Sequence, residues 1–440
     1  MSAPRPPASE AATYSKITWR LMPYLFACYI LAYVNRVNVG FAKIQMQQDL
    51  GMSDAVYGLG AGIFFIGYFL FEVPSNVVLR KIGARFLLGP IMILWGLVSA
   101  ATMFAKGATS YYVLRFLLGA VESGFFPGVI LYLTFWYAAR HRARMVAIFM
   151  SAVPLSGLLA GPLCGWILKD LHGVSGLAGW QWLFLVTGLP SSIAGLVTLF
   201  FLTDEPEQAH WLSADEKKMV LARLQEEEQT KTGKRSHRLV DAFRSPAVWL
   251  LCLVYFGITA GNYGIGFWLP QVMKDTLTKD PVAIGWLFTI PSAVTVVAMF
   301  FVGRHSDATG ERRWHFALSC MVAACAFAAS AIPGIPGPVG FAALTLANAG
   351  TLSAFAVFWS LPTALLSGTA AAAGIAWINS VGNLAGYASP HAVGAIRDHT
   401  HSMTLALLAL ALAMLTAALV SLFVTRRDAR QPLRTPSITP

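Results

Sequence analysis

The feature that most constrains this chain is a series of apolar stretches, each long enough to cross a lipid bilayer. A transmembrane helix needs about 20 mainly apolar residues. The sequence predicts twelve such helices, at 19–40, 55–79, 86–106, 110–136, 145–168, 180–203, 247–272, 282–303, 314–332, 338–363, 370–392 and 402–425. We therefore expect an all-α membrane protein with twelve transmembrane helices.

The composition supports a chain solvated mainly by lipid. Of its 440 residues, 56% are hydrophobic and only 12% are charged, whereas a soluble domain carries about 25% charged residues. The net charge of +11 does not indicate a nucleic-acid partner, because the charges lie in short runs between apolar stretches. In membrane proteins such runs set the orientation.

The twelve predicted spans form two halves of six. We expect a tail (1–18), a six-helix bundle (19–203), a linker with a short amphipathic helix (204–246), a second six-helix bundle (247–425) and a second tail (426–440). Ser213 and Glu216 form a predicted capping box at the start of the linker helix. A six-plus-six repeat with a central site is typical of transporters.

The distribution of Lys and Arg predicts the topology. Arg36 and Arg115 lie within spans, and most of the other basic residues lie in connections on one side. The connections on the other side of the membrane hold only six basic residues, namely Lys43, Lys106, Lys169, Lys274, Lys279 and Arg397. The positive-inside rule then places both termini in the cytoplasm, and we expect a bacterial inner-membrane protein.

Three charged residues stand out inside the predicted spans: Arg36 in the first, and Arg115 and Glu122 in the fourth. Each costs at least about 2.5–3.5 kcal/mol to insert. Arg115 and Glu122 are seven residues apart and share one helix face, which suits the lining of one cavity at two depths.

Two interpretations of these charges remain open. In the functional one, Arg36 and Arg115 bind a substrate carboxylate through planar guanidinium groups. Glu122 then carries a proton, as a desolvated carboxyl can. In the structural one, the three groups are ion pairs that lock the first bundle. Two cations and one anion leave a surplus positive charge, which favours the functional interpretation.

Other polar groups suggest gating or substrate contacts. Glu72 lies near the cytoplasmic end of the second span, where a gate or a helix-end ion pair is favoured over proton carriage. Asn379 and Asn383, one turn apart, are either helix–helix contacts or binders of substrate hydroxyls. Between spans 8 and 9, an acidic residue, a Gly turn and a pair of basic residues form a predicted conformational latch, made by Asp307, Arg312 and Arg313.

The stretch from Gly303 to Arg313 resembles the loop signature of the major facilitator superfamily. The equivalent loop of the first half, Pro74-Ser75-Asn76 to Arg80-Lys81-Ile82-Gly83-Ala84-Arg85, is similar to that of the anion:cation symporter family within it. We assign Arg80 and Arg85 of this loop to the gate. Within the family the chain is most similar to tartrate, phthalate and hydroxyphenylacetate permeases.

The resemblance implies roles for individual residues. Arg36 and Arg115 match positions that hold the substrate carboxylate, and Glu122 matches a proton-coupling acid. Tyr33, Ser360 and Asn383 match substrate contacts. Trp359 lies beside them, where it is placed to stack on the ligand, and we include Asn35 and Asn379 among the candidate contacts.

Asn35 departs from the family pattern, because the residue before the first-span Arg is often a proton-coupling Asp. With Glu122 as the remaining strong proton carrier, one proton balances one substrate charge. Each uncompensated negative charge moved inward against 100 mV costs about 2.3 kcal/mol. We therefore expect a monocarboxylate or a singly protonated diacid.

The sequence thus predicts a monomeric importer of a small organic carboxylate by proton symport, with the proton gradient as coupling agent and no other cofactor. Alternatives are an anion exchanger or facilitator without obligatory coupling, and an organophosphate or drug antiporter of the same fold. An enzyme is not expected, because no nucleophile–base pair occurs in the spans. The five cysteines show no metal-ligand spacing.

Overall fold

The computed structural model describes residues 10–231, 245–365 and 368–426. These residues form α-helices joined by short connections, and no β-strand occurs within the described ranges. The predicted all-α fold is confirmed. Large apolar side chains cover the outer faces of the helices, and Phe200, for example, is 87% exposed. Such a surface suits contact with lipid rather than water.

The helices of the first half run from α1 to α9, and α9 lies in the predicted linker. Their bounds are α1 Glu10–Asp49, α2 Asp54–Ile82, α3 Ala84–Ala101, α4 Ala108–Glu122, α5 Phe125–Trp136, α6 Ala139–Met150, α7 Ala152–Asp170, α8 Gly179–Phe201 and α9 Ala214–Lys231.

The helices of the second half run from α10 to α18. Their bounds are α10 Pro246–Gly266, α11 Leu269–Thr276, α12 Pro281–Thr309, α13 Arg313–Ser330, α14 Gly337–Phe358, α15 Ser360–Leu365, α16 Gly368–Asn383, α17 Ala385–Thr400 and α18 Thr404–Arg426.

Ten helical segments of the described chain are long and apolar enough to cross a membrane. They correspond to ten of the twelve predicted spans. The segments predicted at 314–332 and 370–392 are not among them. The first coincides with α13, whose opening turn is polar, and the second is divided between α16 and α17, each of 16 residues.

Proline divides several spans into two helices. Pro127, Pro154 and Pro362 are each the third residue of a helix that restarts after a break, namely of α5, α7 and α15. Because proline lacks an N–H and its ring collides with the carbonyl four residues earlier, a continuous helix is disrupted one turn upstream. The breaks therefore fall at 123–124, 151 and 359.

The chain forms two compact units. The first comprises Met1–Met52, Ile63–Lys234 and Asp280–Trp286, and the second comprises Ser53–Gly62, Arg235–Lys279 and Leu287–Pro440. Each unit consists of one predicted bundle, apart from the two short segments Ser53–Gly62 and Asp280–Trp286.

In the first unit, α3 and α8 pack with their backbones close together. A Cβ atom on Gly96 would lie 2.6 Å from both the Gly188 carbonyl oxygen and the Ser192 nitrogen. The Ser192 hydroxyl in turn donates to the Ile93 carbonyl at 2.9 Å. Small residues at a helix crossing allow this approach, and interhelical hydrogen bonds add to it.

The linker helix α9 docks on the start of α1. The predicted capping box is present: the Ser213 N–H donates to Glu216 Oε2 at 2.7 Å, and the Glu216 N–H donates to Ser213 Oγ at 3.2 Å. Lys16 forms an ion pair with Glu216 at 2.9 Å. Partial burial raises the pKa of Glu216, but the Ser213 N–H and Lys16 outweigh it, so this pKa lies below its usual value.

The first helix is longer at both ends than the predicted span 19–40. Its C-terminal extension carries polar side chains that are bonded within the first unit. Gln45 donates to the Leu168 carbonyl at 2.9 Å, and Trp180 Nε1 donates to Asp49 at 2.6 Å. Lys43, assigned above to an outer connection, is instead a buried residue of α1 that donates to Gln47 at 2.7 Å.

We expect Gly96→Ala to destabilise the protein by about 1–3 kcal/mol, because an added methyl group overpacks the α3–α8 crossing. Gly303→Ala is the matched control, since a Cβ atom there meets nothing within 4 Å. Thermal unfolding of the purified variants in detergent measures both. Equal midpoints for the two variants would contradict the close packing of α3 and α8.

Candidate functional site

The break between α4 and α5 places Glu122 at the end of a helix. Pro127 cannot donate to the Ser123 carbonyl, so the span interrupts at Ser123–Gly124 and α5 restarts at Phe125. The Ser123 hydroxyl turns back to the Ala120 carbonyl at 2.9 Å. Glu122, the last residue of α4, is only 2% exposed.

Glu122 forms an ion pair with Arg36 of α1, through Glu122 Oε1 and an Arg36 terminal nitrogen. The Arg36 side chain is 13% exposed. Among the residues that the structure describes, the second carboxylate oxygen, Oε2, is buried and has no hydrogen-bond partner. One oxygen of Glu122 is thus bound to a cation, and the other has no hydrogen-bond partner among the described residues.

Arg115 lies two turns before Glu122 on α4 and is fully buried, at 0% exposure. Its guanidinium carbon lies 5.0 Å from the centroid of the Phe64 ring. The Arg36 guanidinium carbon lies 5.3 Å from the same centroid. The structure therefore links the three charges predicted from the sequence: Arg36 pairs with Glu122, and both arginines lie against an aromatic ring that the sequence analysis did not single out.

Two tyrosines complete the surroundings of Arg36. Its guanidinium carbon lies 5.1 Å from the Tyr33 ring centroid and 5.7 Å from that of Tyr68. Tyr33 was among the predicted contacts, but Tyr68 was not. Phe64 and Tyr68 are four residues apart on α2, so they lie on one helix face, but two aromatic residues at this spacing in an apolar span do not show whether that face meets lipid or a cation.

Close contact between α2 and α4 positions these rings. A Cβ atom on Gly119 would lie 1.8 Å from the Phe64 carbonyl oxygen, and one on Gly67 would lie 2.3 Å from the Phe116 carbonyl oxygen. Any side chain at either position would push the helices apart. The two glycines therefore hold Phe64 against the helix that carries Arg115.

Asn35 uses its side chain within the first unit. Its Nδ2 lies 2.9 Å from each of three acceptors, the Leu31 carbonyl, the Thr187 carbonyl and the Ser191 hydroxyl. The Ser99 hydroxyl donates to Asn35 Oδ1 at 2.7 Å. At 1% exposure, Asn35 ties α1 to α3 and α8, and its predicted contact with substrate remains a prediction.

The candidate contacts of the second unit lie near a break and at a helix end. Trp359 occupies the break between α14 and α15, where its ring lies 4.9 Å from that of Tyr255. Ser360 donates to the Val357 carbonyl at 2.6 Å. Asn379 and Asn383 are both half-buried on α16, and Gly382 between them packs directly on Tyr255.

The predicted latch of the second unit is an ion pair. Asp307, near the end of α12, contacts Arg312 at 2.6 Å. Arg313 donates instead to the Leu422 carbonyl of α18 at 3.0 Å. These contacts join the end of α12 to Arg312 and the start of α13 to α18, and the role of these residues as a latch stays a prediction.

In the first unit, the gate candidate Arg85 pairs with Asp204, which the sequence analysis missed. The Asp204 carboxylate accepts from the Arg85 N–H at 2.8 Å and contacts its Nε at 3.2 Å. Gly83 makes room for this carboxylate, and its φ of 87° suits glycine alone. Glu72 is half-buried on α2, and the Arg80 side chain lies outside the described residues.

A further charged cluster in the second unit was also missed. Arg397 contacts Asp54 at 3.1 Å and Asp275 at 2.6 Å. The neighbouring Asp398 accepts from the Asp54 and Ala55 N–H groups at 2.8 and 2.7 Å, which caps the start of α2. Residues so far apart in the sequence show no local signal of pairing.

Buried charges within membrane-spanning helices, rather than a reactive nucleophile or a metal centre, are the features of a transporter. In the described part of the chain no group of three or more His, Cys, Asp or Glu side chains is arranged to hold a metal ion. The model of the Major Facilitator Superfamily matches residues 25–390. The chain belongs to this superfamily, and it is a multi-pass membrane transporter rather than an enzyme.

Curated relatives and solved structures agree with this assignment. The chain is 48% identical over 419 residues to a proposed tartrate transporter of Agrobacterium vitis, covering 95% of this chain and 92% of that protein. It is 46% identical over 390 residues to NicT, a proposed metabolite transport protein of Pseudomonas putida, covering 88% and 89%. These relatives are consistent with the anion:cation symporter family.

The fold is also similar to that of a solved transporter. A bacterial homologue of the human lysosomal transporter Spinster matches with a TM-score of 0.77, covering 97% of this chain and 100% of that chain. At 15% identity this similarity concerns the fold alone.

We expect Asn35→Leu to lower stability by about 1–3 kcal/mol, because it leaves buried groups on α3 and α8 unsatisfied. Ser99→Ala should cost less, and the double variant should cost less than the sum of the two, since they remove one shared hydrogen bond. Thermal unfolding of all four proteins measures the coupling. Strict additivity would show that the Asn35–Ser99 bond contributes nothing.

Proposed function

We propose that this protein imports a small organic carboxylate by proton symport through alternating access, in the inner membrane of a bacterium. The observation that carries the proposal is the buried cluster of Arg36, Arg115 and Glu122. Two permanent cations and one carboxylate leave one positive charge in excess. A bound carboxylate compensates that charge, and a planar guanidinium pairs with it through two parallel hydrogen bonds.

Glu122 couples the proton to the anion because it either pairs with Arg36 or binds a proton. While Glu122 is ionised, Arg36 is occupied by its carboxylate. A proton arriving at the unbonded oxygen Oε2 neutralises Glu122 and breaks its ion pair with Arg36, so that Arg36 can bind the substrate. On the cytoplasmic side, loss of this proton restores the ion pair and displaces the substrate, so that the empty carrier can return.

The number of protons that Glu122 binds determines how much negative charge on the substrate is compensated. One proton on Glu122 balances one negative charge, and Asn35 cannot add a second proton. The proposed substrate is thus a monocarboxylate or a singly protonated diacid. A hydrogen tartrate ion fits this rule, and the relative in Agrobacterium vitis is itself a proposed tartrate transporter.

The remaining candidates take supporting roles in the proposal. Tyr33, Trp359, Ser360 and Asn383 contact the uncharged part of the substrate, and Asn379 either joins them or packs helices. The Asp307–Arg312 and Arg85–Asp204 pairs act as latches that break and re-form during the cycle, with Glu72 and Arg80 nearby in sequence. No cofactor besides the proton gradient is invoked, and the monomer is the working unit.

We expect Glu122→Gln to abolish uphill accumulation driven by a pH gradient, because glutamine cannot exchange a proton. Binding and anion exchange should persist, since Arg36 and Arg115 remain. Uptake of tartrate, 4-hydroxyphenylacetate and gluconate into liposomes measures this. Glu207→Gln, which alters an exposed glutamate, should behave as wild type. Full accumulation by Glu122→Gln would favour an exchanger or facilitator instead.

We expect transport of a monocarboxylate to be electroneutral, because one proton accompanies one anion. Clamping liposomes at 100 mV in either direction should then leave the accumulation ratio unchanged. Each uncompensated charge would shift it by about 2.3 kcal/mol, or roughly 50-fold. An inward positive current with gluconate would require more than one proton in each cycle.

A further inference from the structure

Phe64 is a fully buried residue that lies against two cations. Its ring is 0% exposed, and the guanidinium carbons of Arg36 and Arg115 lie 5.3 and 5.0 Å from its centroid. Both distances fall within the range of about 6 Å in which a cation is attracted to the negative face of an aromatic ring. Two such contacts on one phenylalanine join the two proposed anion-binding groups directly.

The position of the Phe64 ring against the two arginines offsets part of the electrostatic repulsion between their guanidinium groups. With each guanidinium about 5 Å from one centroid, the two cations are at most about 10 Å apart, and at low dielectric they repel each other strongly. Glu122 offsets this repulsion only while it is ionised. When it takes up a proton, Arg36 loses its carboxylate partner, but the ring of Phe64 stays in place.

The backbone of α2 holds the ring in position. Gly119 of α4 meets the Phe64 carbonyl so closely that no side chain fits there. Phenylalanine also has no polar group, so it attracts the guanidinium groups without offering a hydrogen bond that competes with an incoming anion. Tyr33 and Tyr68 surround Arg36 as well, and each carries a hydroxyl group.

We propose that Phe64 is a positioning residue, whose ring holds Arg36 and Arg115 at the spacing that binds a carboxylate while Glu122 is protonated. This inference rests on the proposed function. It assigns to Phe64 a part in anion affinity, exerted through the two arginines, rather than a contact with the proton. The KM for substrate should therefore respond to the electron density of this ring, while kcat should not.

The decisive test replaces Phe64 with 4-fluoro-, 3,5-difluoro- and 3,4,5-trifluorophenylalanine in the full-length protein. Fluorine withdraws electron density from the ring face with little change in shape, which weakens attraction for cations stepwise. We expect KM for tartrate, 4-hydroxyphenylacetate or gluconate to rise progressively, by about tenfold across the series. Phe64→Leu should show a similar or larger rise in KM.

Phe184 provides the matched control. It is also buried in the first unit, at 1% exposure, and its ring packs edge-on against Trp180. Fluorination there should leave KM unchanged. A flat KM across the Phe64 series, or an equal rise in the Phe184 series, would overturn the inference while leaving carboxylate transport intact.

A measurement without substrate separates this inference from the proposed function. In the Glu122→Gln background, Arg36 lacks its ion pair, so fluorination of Phe64 should lower the thermal unfolding midpoint more than it does with Glu122 present. The same loss in both backgrounds would overturn the positioning role. If the wild-type protein binds none of the three carboxylates, the proposed function fails, and this comparison still decides whether Phe64 holds the two arginines.

Discussion

The structure of the first bundle depends on the burial of three charges among helices that face lipid. A buried ion pair that loses one partner costs about 3–5 kcal/mol, so Arg36 and Glu122 bind α1 to α4 in the empty carrier. Arg115 adds a second cation on the same face of α4. The glycines at the α2–α4 crossing, the rings of Phe64 and Tyr68, and the break after Glu122 all accommodate these charges.

The burial of these three charges is also the basis of the proposed transport cycle. In the proposed cycle, the substrate anion offsets the positive charge of the two arginines, and protonation of Glu122 increases the charge to be offset. Substrate and proton would then favour each other's binding without a separate coupling group. Asn35, bonded within the bundle by Thr187, Ser191 and Ser99, contributes stability to this arrangement and no charge.

Sequence reasoning identified the features that local pattern encodes. Apolar length located the helices, the capping box at Ser213 and Glu216 was correct, and the cost of a charge in lipid singled out Arg36, Arg115 and Glu122. It missed Phe64 and Tyr68, because an aromatic residue in an apolar span looks the same whether it faces lipid or a cation.

Contacts between segments that are far apart in the sequence could likewise not be predicted from local sequence patterns. Asp204 and Arg397 find their partners only when helices far apart in the chain are packed together. Lys43 was placed in an outer connection because the predicted first span ended at residue 40, before the polar residues Gln45 and Asp49. In the folded chain those side chains are bonded inside the bundle, and the helix continues through them. Three breaks fall one turn before a proline, but Pro23, Pro162 and Pro291 lie inside continuous helices, so a proline in a span did not by itself predict a break.

The break after Glu122 has an electrostatic consequence as well as a geometric one. The last carbonyl groups of a helix point outward and give its C-terminal end a partial negative charge. Glu122 stands at the end of α4 and is paired there with Arg36. Pro127 thus places the carboxylate where a cation from a different helix, α1, offsets its charge, so the break in one span fixes the partner of another.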